Sequence, residues 1–505
     1  VIRVSREPVF RTLADFLDGE GYGREGRYRR SDPWQGGAPL LLLDSDTRSK
    51  PVLRSIDAGL TLLAAVSGRK LWSAEGLSRD AERGKPHPAV TLLEGQPDLV
   101  ASWRSRAQVL TALVEAWHRT DLESPGQWTD QLDGCLSRLV SYPALRDLGT
   151  ALMKRDRNEV AAEGFASLLA GDLPEPEEFS YVDSLKNRFY RPHTLVDLAK
   201  LLVQFPTATL VGGSAGLAQF GERSGTDWSC LISLEGIGDL RTVYDRKNQW
   251  LIGSATSLTA VQEAIGALYP ALAKAIRRQA TRPIRNRATL GGCLTSARPD
   301  DEIAPILMAL DAMVRVISMD GERDIPVARF FEGTGKTNLR PGEFVADVIL
   351  PQFSVEGLKA RGAALRLCDS YLAAPRRTLA PGGMAAAFAV ELDPDSRVTQ
   401  AFLAYSGVSD RPVRAREAEK ALVGKSWSEE TVVGLLSRVS QEIESFASGP
   451  GKTFRASLTD SEQEYRRQLV ITLLQKFFYQ YPYPGKTATE LGVIGEYLAP
   501  PAAKG

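Results

Sequence analysis

In the segment Ser105–Arg119, "SRAQVLTALVEAWHR", apolar residues recur at Val109, Leu110, Leu113, Val114 and Trp117. Spacings of i, i+1, i+4, i+5 and i+8 gather them on one face of a helix. The same style continues in "LDGCLSRLVSYPALRDLGTALM", so residues 81–166 predict a helical region. Upstream, residues 1–80 carry short apolar runs, "APLLLLD" and "LTLLAAV", between loops rich in Gly and Arg. Those runs predict a small β-rich unit. The acidic, proline-bearing stretch "LLAGDLPEPEEFSYVDS" reads as a linker, assigned to 167–184. Residues 185–355 alternate strand-like runs ("ATLVGG", "WLIGSAT", "AMVRVISM") with a long helical stretch, "AVQEAIGALYPALAKAIRR". Such alternation predicts an α+β domain. Residues 360–485 begin with a strand pattern, "GGMAAAFAVEL" and "RVTQAFLAYSGV", and pass into helices at "VRAREAEKALVG" and "SEQEYRRQLVITLLQKFF". The remaining tail, 486–505, is too rich in Pro and Gly to bury itself, and either frays or wraps a partner. No internal repeat of fixed period is present.

Composition narrows this picture without redirecting it. The chain has 505 residues, 43% apolar and 25% charged, the proportions of a globular protein with several domains. Sixty-two basic residues balance 62 acidic ones, so no global charge favours nucleic acid or an anionic membrane. The first residues, "VIRVSREPVF", lack an apolar core of signal-peptide length, and no run reaches the ~20 apolar residues of a membrane span. A cytoplasmic location is the expectation. The four cysteines, Cys135, Cys230, Cys293 and Cys368, form no close pair, and the histidines are only His87, His118 and His193. A disulfide framework, a His/Cys zinc site and histidine acid–base chemistry are all poorly supplied. No catalytic acid, base or nucleophile stands out.

Candidate chemistry lies in two glycine stretches. "LVGGSAGLAQFG" follows a strand-like run and sets small residues at Gly212, Gly213, Ser214, Ala215 and Gly216, ahead of Leu217. Their backbone N–H groups could cradle a pyrophosphate, or simply make a turn. Some 75 residues on, "TRPIRNRATLGGCLTSARPDDEIAPILMALDA" holds Thr289, Gly291, Gly292, Cys293, Ser296 and Glu302.

In this order and spacing the two stretches resemble the FAD domain of the xanthine dehydrogenase and carbon monoxide dehydrogenase family, the molybdenum hydroxylases. "RPIRNRATLGGCL" with "DEIAPILMALDA" is similar to that family's R-N-x-A-T-x-G-G-N-L and A-P-x-L-x-A-L-D-A. "IPVARFFEGTGKTNLRPGEFVADVILP" is similar to its I-P-x-x-x-F-F-x-G-x-x-x-T-x-L-x-P-x-E. "PVRAREAEKALVGKSWSEETV" and "EYRRQLVITLLQKFF" resemble its small C-terminal domain. The N-terminal half resembles the same family's iron–sulfur module through "LRSIDAGLTLLAAVSGRKLWSAEGL", His87-Pro88 and "LDGCLSRLVSYPAL". The resemblance implies an α+β multidomain chain. Residues 1–80 would be a ferredoxin-like β-grasp unit and 81–166 a helical domain, both degenerate and without clusters. Residues 185–355 would be a two-lobed FAD-binding domain of the molybdopterin dehydrogenase type. Residues 360–485 would be a C-terminal α+β domain of the CO dehydrogenase flavoprotein type.

The departures from that family are large. Its first four cluster thiolates would fall at Ser31, Gly36, Pro39 and Gly59, and its second four near Ala101, Arg104, Ser137 and Leu139; none is cysteine. Two [2Fe–2S] clusters need eight thiolates, and this half of the chain holds only Cys135, which reads as a small buried hydrophobe. No iron–sulfur cluster is therefore expected. In the first glycine loop the family's Thr and acidic residue are replaced by Ala215 and Gly216. In the second, its Asn becomes Cys293, its Ser-Pro becomes Arg298-Pro299 and its Asp becomes Glu302. Pro375 and Arg376 stand where its acidic run lies beside the flavin. Losing the Thr hydroxyl and Asn amide would cost about 2–4 kcal/mol, a roughly 30- to 1000-fold weaker hold on FAD. Arg298 could offset this by pairing with a phosphate, or could be a solvated surface residue.

The resemblance thus implies the small subunit of a xanthine dehydrogenase-like complex, with FAD as the candidate cofactor and the molybdenum cofactor only in a large partner subunit. It would serve as a flavin-type redox subunit fed by a separate electron carrier, or as the remnant of one. The alternative is a cofactor-free scaffold for the large subunit. An FAD- or nucleotide-binding protein acting alone is the third reading, against which the retained cluster-less module speaks. A hetero-oligomer is expected, without nucleic acid or membrane partners.

Overall fold

The computed structural model describes residues 4, 7–22, 38–80, 86–96, 103–135, 140–155, 164–171, 173, 176–217, 228–374, 383–448 and 458–482. Ser31, Gly36, Ala101, Ser137, Leu139, Pro375, Arg376 and the tail lie outside them. The chain divides into two compact units. The first is Val1–Thr242 with Ala255–Ala260 and Ala280–Thr289; the second is Val243–Ser254, Val261–Gln279 and Leu290–Gly505.

In the first unit, β1 (Pro39–Ser45), β2 (Pro51–Asp57) and β3 (Leu71–Trp72) form an antiparallel sheet in the order β2-β1-β3. Side chains alternate faces along a strand, and β1 is buried on both. Leu40 and Leu42 pack with Leu13, Ala14 and Ile56, while Leu41 and Leu43 face the helical layer around Leu110 and Trp128. The helix Trp103–Trp117 buries Val109, Leu110, Leu113, Val114 and Trp117, the face its periodicity implies. The run "LTLLAAV" is not a strand. Its residues fall in and around two short 3-10 turns, Ala58–Leu60 and Ala64–Val66, with Leu60, Leu62, Ala65 and Val66 buried. Burial on all sides made this run apolar, and an apolar run alone does not distinguish strand from compact turn.

A second sheet of the first unit comprises β4 (Phe179–Val182), β5 (Arg188–Arg191), β6 (Thr209–Val211) and β7 (Cys230–Ser233), ordered β4-β5-β7-β6. Strand β4 occupies the end of the stretch expected to be linker. Its alternating exposure follows Phe179-Ser-Tyr-Val182, and it pairs antiparallel with β5. Strands β5 and β6 both run parallel to β7, and the crossover helix Leu195–Gln204 is capped by Thr194. Phe189, Val211 and Leu231 of this sheet share one core with Val9, Leu62 and Ala65 from the N-terminal region. The N-terminal module is thus a wall of the β4–β7 lobe.

The second unit has a five-stranded antiparallel sheet of β8 (Val243–Arg246), β9 (Gln249–Gly253), β10 (Met313–Ser318), β11 (Gly321–Pro326) and, after the hairpin of β12 (Phe331–Gly333) and β13 (Lys336–Thr337), β14 (Phe344–Pro351). Its order is β11-β10-β14-β9-β8. The long helical stretch predicted over 260–278 is two helices, Leu258–Ile265 and Pro270–Gln279. Pro270 accounts for the break, because proline lacks an N–H and is tolerated only in a helix's first turn. The last sheet is β15 (Leu365–Ala373), β16 (Met384–Leu392), β17 (Val398–Ser406) and β18 (Val413–Arg414). Strand β15 was not anticipated. Met384, Phe388 and Val390 of β16 face the helices Glu429–Ala447 and Asp460–Gln480. Its alanines 385, 387 and 389 are equally buried, and the helix Ala304–Ala309 also packs on this strand. No helix among the described residues is long and apolar enough to cross a membrane.

Candidate cofactor site

The first glycine loop lies wholly in the first unit and follows β6. A Cβ on Gly213 would fall 1.4 Å from the Arg287 carbonyl oxygen, and one on Gly212 would fall 2.6 Å from Thr289 Oγ1. These glycines are demanded by the chain's own segment Arg287–Thr289, which lies against the turn. Ser214 adopts a left-handed φ of 63°. Its Oγ accepts from the Leu62 N–H at 3.2 Å and donates to the Leu60 carbonyl at 3.4 Å. Ala215 is buried and Leu217 packs on the core shared with Leu62. Among the described glycines of this loop, Gly216 alone faces open space. What this turn can offer a ligand is therefore backbone N–H groups and room beside Gly216, while its side chains serve packing.

Thr289 belongs to the same unit, is buried and bridges Ser257. The neighbouring Leu258 N–H reaches the Ala288 carbonyl at 2.8 Å. In that same segment the buried hydroxyls of Thr256 and Thr259 have no hydrogen-bond partner.

Gly291, Gly292, Cys293, Ser296 and Glu302 lie in the second unit. The Gly291 N–H donates to the Ser254 carbonyl at 2.9 Å, and a Cβ there would lie 2.6 Å from Ser254 Cβ. Again the backbone approach is to protein. Gly292, on the short helix Leu290–Thr295, is exposed. Cys293 Sγ is buried and accepts from Gln279 Nε2 at 3.4 Å; burial pushes its thiol well above the ordinary range, so it stays neutral. Ser296 is exposed and donates to the Cys293 carbonyl at 2.7 Å. Arg298 makes a bidentate pair with Asp300, 3.0 Å on each arm, rather than standing free for a phosphate or in water. Asp301 accepts from the N–H groups of Ile303 and Ala304 at 2.8 and 2.6 Å, at the start of the helix Ala304–Ala309. Its pKa is nonetheless raised to about 6, chiefly by burial.

Glu302 carries the most informative chemistry. Its Oε2 is buried without a hydrogen-bond partner. Burial first, then the charges of Asp301 and Asp300, raise its pKa to about 8. At neutral pH it is a protonated carboxyl, which both donates and accepts. Such a group suits a hydroxyl-bearing ligand such as a ribose better than a phosphate oxygen. Ser254 Oγ and Gln279 Oε1 in the same unit are also buried and unpartnered. Buried polar atoms are rarely left so, and these residues fit a polar cofactor. The "GSATSLT" hydroxyl run, which supplies Ser254, Thr256 and Thr259, was overlooked in the sequence because its period matches no element; its density of hydroxyls after a strand was the available signal. Among the described residues no group of three or more His, Cys, Asp or Glu could hold a metal ion.

The first unit carries one glycine stretch after the parallel β5-β7-β6 strands, and the second carries the other on the helix Leu290–Thr295. Residues 183–353 match the FAD binding domain in molybdopterin dehydrogenase, and residues 369–481 match the CO dehydrogenase flavoprotein C-terminal domain. The chain is a homologue of the xanthine dehydrogenases, aldehyde oxidases and CO dehydrogenases among the molybdenum hydroxylases. It is 27% identical over 323 residues to nicotinate hydroxylase of Emericella nidulans, covering 60% of this chain and 23% of that protein. It is 28% identical over 287 residues to xanthine dehydrogenase of the same organism, covering 54% and 20%. The chain thus spans less than a quarter of the length of these curated relatives. In fold it is similar to a chain of carbon monoxide dehydrogenase from Hydrogenophaga pseudoflava, with TM-score 0.50, 21% identity, and coverage of 57% of this chain and 94% of that one.

Proposed function

We propose that this chain is a flavin-binding subunit of a molybdenum hydroxylase-type complex whose iron–sulfur relay lies outside it. The observation that carries this reading is the buried, partnerless Glu302 Oε2, at a position where the resembled family carries Asp. Glu302 would hold a ribose hydroxyl, and the backbone around Gly292 of the same unit would meet a phosphate. Bound FAD would supply one- and two-electron transfer. The protein's own part is to keep Glu302 protonated and to hold the first turn rigid through Ser214. With four cysteines in the whole chain, electrons would reach the flavin from a separate carrier, and the molybdenum chemistry would belong to a large partner subunit.

A cofactor-free scaffold is the second reading, favoured by the use of Gly212, Gly213 and Ser214 in internal packing. The two separate on the absorption spectrum and metal content of the purified complex. About one flavin per chain with no iron on this chain is expected. Absence of both leaves the scaffold, and stoichiometric iron on this chain would sink both readings.

A further inference from the structure

The loop that carries Glu302 is held in place by other parts of the second unit. Buried Ala297 opens it with a left-handed φ of 42°. A residue with a side chain is strained there and stays so only where its surroundings fix it. Two of the fixing contacts are to loop carbonyls. The Gly335 N–H, in the turn between β12 and β13, donates to the Ala297 carbonyl at 3.0 Å. The Gly407 N–H, just past β17, donates to the Pro299 carbonyl at 2.6 Å. Inside the loop, Arg298 pairs with Asp300, and Asp301 takes the N–H groups of Ile303 and Ala304.

The two anchors are themselves joined. Thr334 Oγ1 donates to the Asp410 carbonyl at 3.1 Å, and Arg411 Nη1 to the Glu332 carbonyl at 3.1 Å. The β12–β13 hairpin is thereby tied to the connection between β17 and β18. Gly407 is closely packed: its φ is 72°, and a Cβ there would lie 2.3 Å from the Gly383 carbonyl oxygen. One side chain locks this arrangement. Arg466, on the helix Asp460–Gln480, donates from Nη1 to the Gly407 carbonyl and, at 3.4 Å, to the Gly383 carbonyl. A charged donor makes such bonds stronger than a neutral one would. The charge of Asp300, inside the loop, acts on the same guanidinium.

A carboxyl that binds a ligand hydroxyl works only when held within about 0.5 Å of its productive place, and Glu302 stands three residues beyond Pro299. We propose that Arg466 is a positioning residue for Glu302, acting through Gly407 and Pro299 on the loop that carries it. The helix Asp460–Gln480 would thereby serve the cofactor site as well as its own core. The proposal rests on the reading that Glu302 holds FAD.

Fluorescence titration of the full chain with FAD tests it in a double-mutant cycle. Arg466→Ala should raise the FAD dissociation constant about tenfold in the parent, but less than about twofold in Glu302→Ala, where no carboxyl remains to be placed. Arg466→Lys, which keeps a charged donor, should recover part of the loss. Denaturant midpoints establish that the variants are folded. Equal losses in the two backgrounds would mean that Arg466 serves stability alone and would overturn the proposal. So would an FAD affinity that falls in Glu302→Ala but not in Arg466→Ala. A parent that takes up no FAD, or an affinity indifferent to Glu302→Ala, overturns the Glu302 reading itself. The link to the loop is then decided by amide exchange at Ile303, Ala304 and Gly407 in the flavin-free chain: faster in Arg466→Ala if the link exists, unchanged if it does not.

Discussion

Gly213 and Gly216 stand three residues apart in one turn and answer to different constraints. At Gly213 a methyl group would overlap the Arg287 carbonyl, whereas at Gly216 it would meet nothing. Gly213→Ala should therefore cost about 3 kcal/mol or more, because the clash is with backbone and cannot be relieved by a rotamer change. Gly216→Ala should stay within about 0.5 kcal/mol. Urea midpoints of the two variants decide this, and equal losses would show that the turn is not packed as described. Glu302 gives a second test. Its folded pKa of about 8 lies above the ordinary 4.5, so the fold binds its proton more tightly than the unfolded chain does. Its contribution is complete below about pH 4.5 and is lost as pH rises through about 8. Glu302→Gln should flatten this loss when denaturant midpoints at pH 5 and pH 9 are compared. The same variant should hold flavin at pH 9 at least as well as the parent, since it cannot ionise.

At the scale of elements, the helix Trp103–Trp117 shows what a sequence can and cannot convey. Its apolar face was legible from spacing because burial of that face is what the spacing reflects. Glu115 was not legible. It lies within the buried face with no side-chain exposure, accepting from Arg282 Nε at 2.9 Å, from Asn286 Nδ2 at 3.2 and 3.3 Å, and from the Ser55 N–H at 3.0 Å. Arg54 is 3.5 Å away. Those partners are up to 171 residues distant in sequence, and no local period announces them. Glu115→Ala should destabilise by about 3–5 kcal/mol, since it removes the buried carboxylate that Arg282, Asn286 and the Ser55 N–H share. Thermal or chemical unfolding of that variant checks the figure, and a loss under about 1 kcal/mol would mean that the arginines find other partners. The first glycine stretch was legible as a turn after a strand, whereas Gly291 and Gly292 lie on the helix Leu290–Thr295. That glycines of both stretches answer to neighbouring backbone was not legible, because close approach is a tertiary fact. In the same way Arg298 looked like a free cation in sequence but pairs with Asp300 two residues on.

For the whole molecule, the N-terminal residues have a structural role within the first unit. Val9, Leu62 and Ala65 complete the core of Phe189, Val211 and Leu231, and the Asn286 amide donates to the Ser55 carbonyl at 2.8 Å. Without residues 1–170 those three side chains, each 0–1% exposed, would face water. A fragment beginning at residue 176 should therefore be markedly less soluble than the full chain, as sedimentation of the expressed material will show; a soluble, cooperatively unfolding fragment would contradict this.

The contact of Arg287 and Thr289 with the turn at Gly212–Gly213 also bears on biosynthesis. The turn is complete only when a segment about seventy residues downstream has been made. At about 5–20 residues per second, that is about 4–15 s of translation after Gly216 leaves the ribosome. During this interval the β4–β7 lobe waits with its turn uncovered, so nascent chains stalled before residue 280 should be cut by protease near Gly216 and chains stalled well past 289 should resist. A feature read as cofactor architecture is equally a timing constraint on how the protein is born.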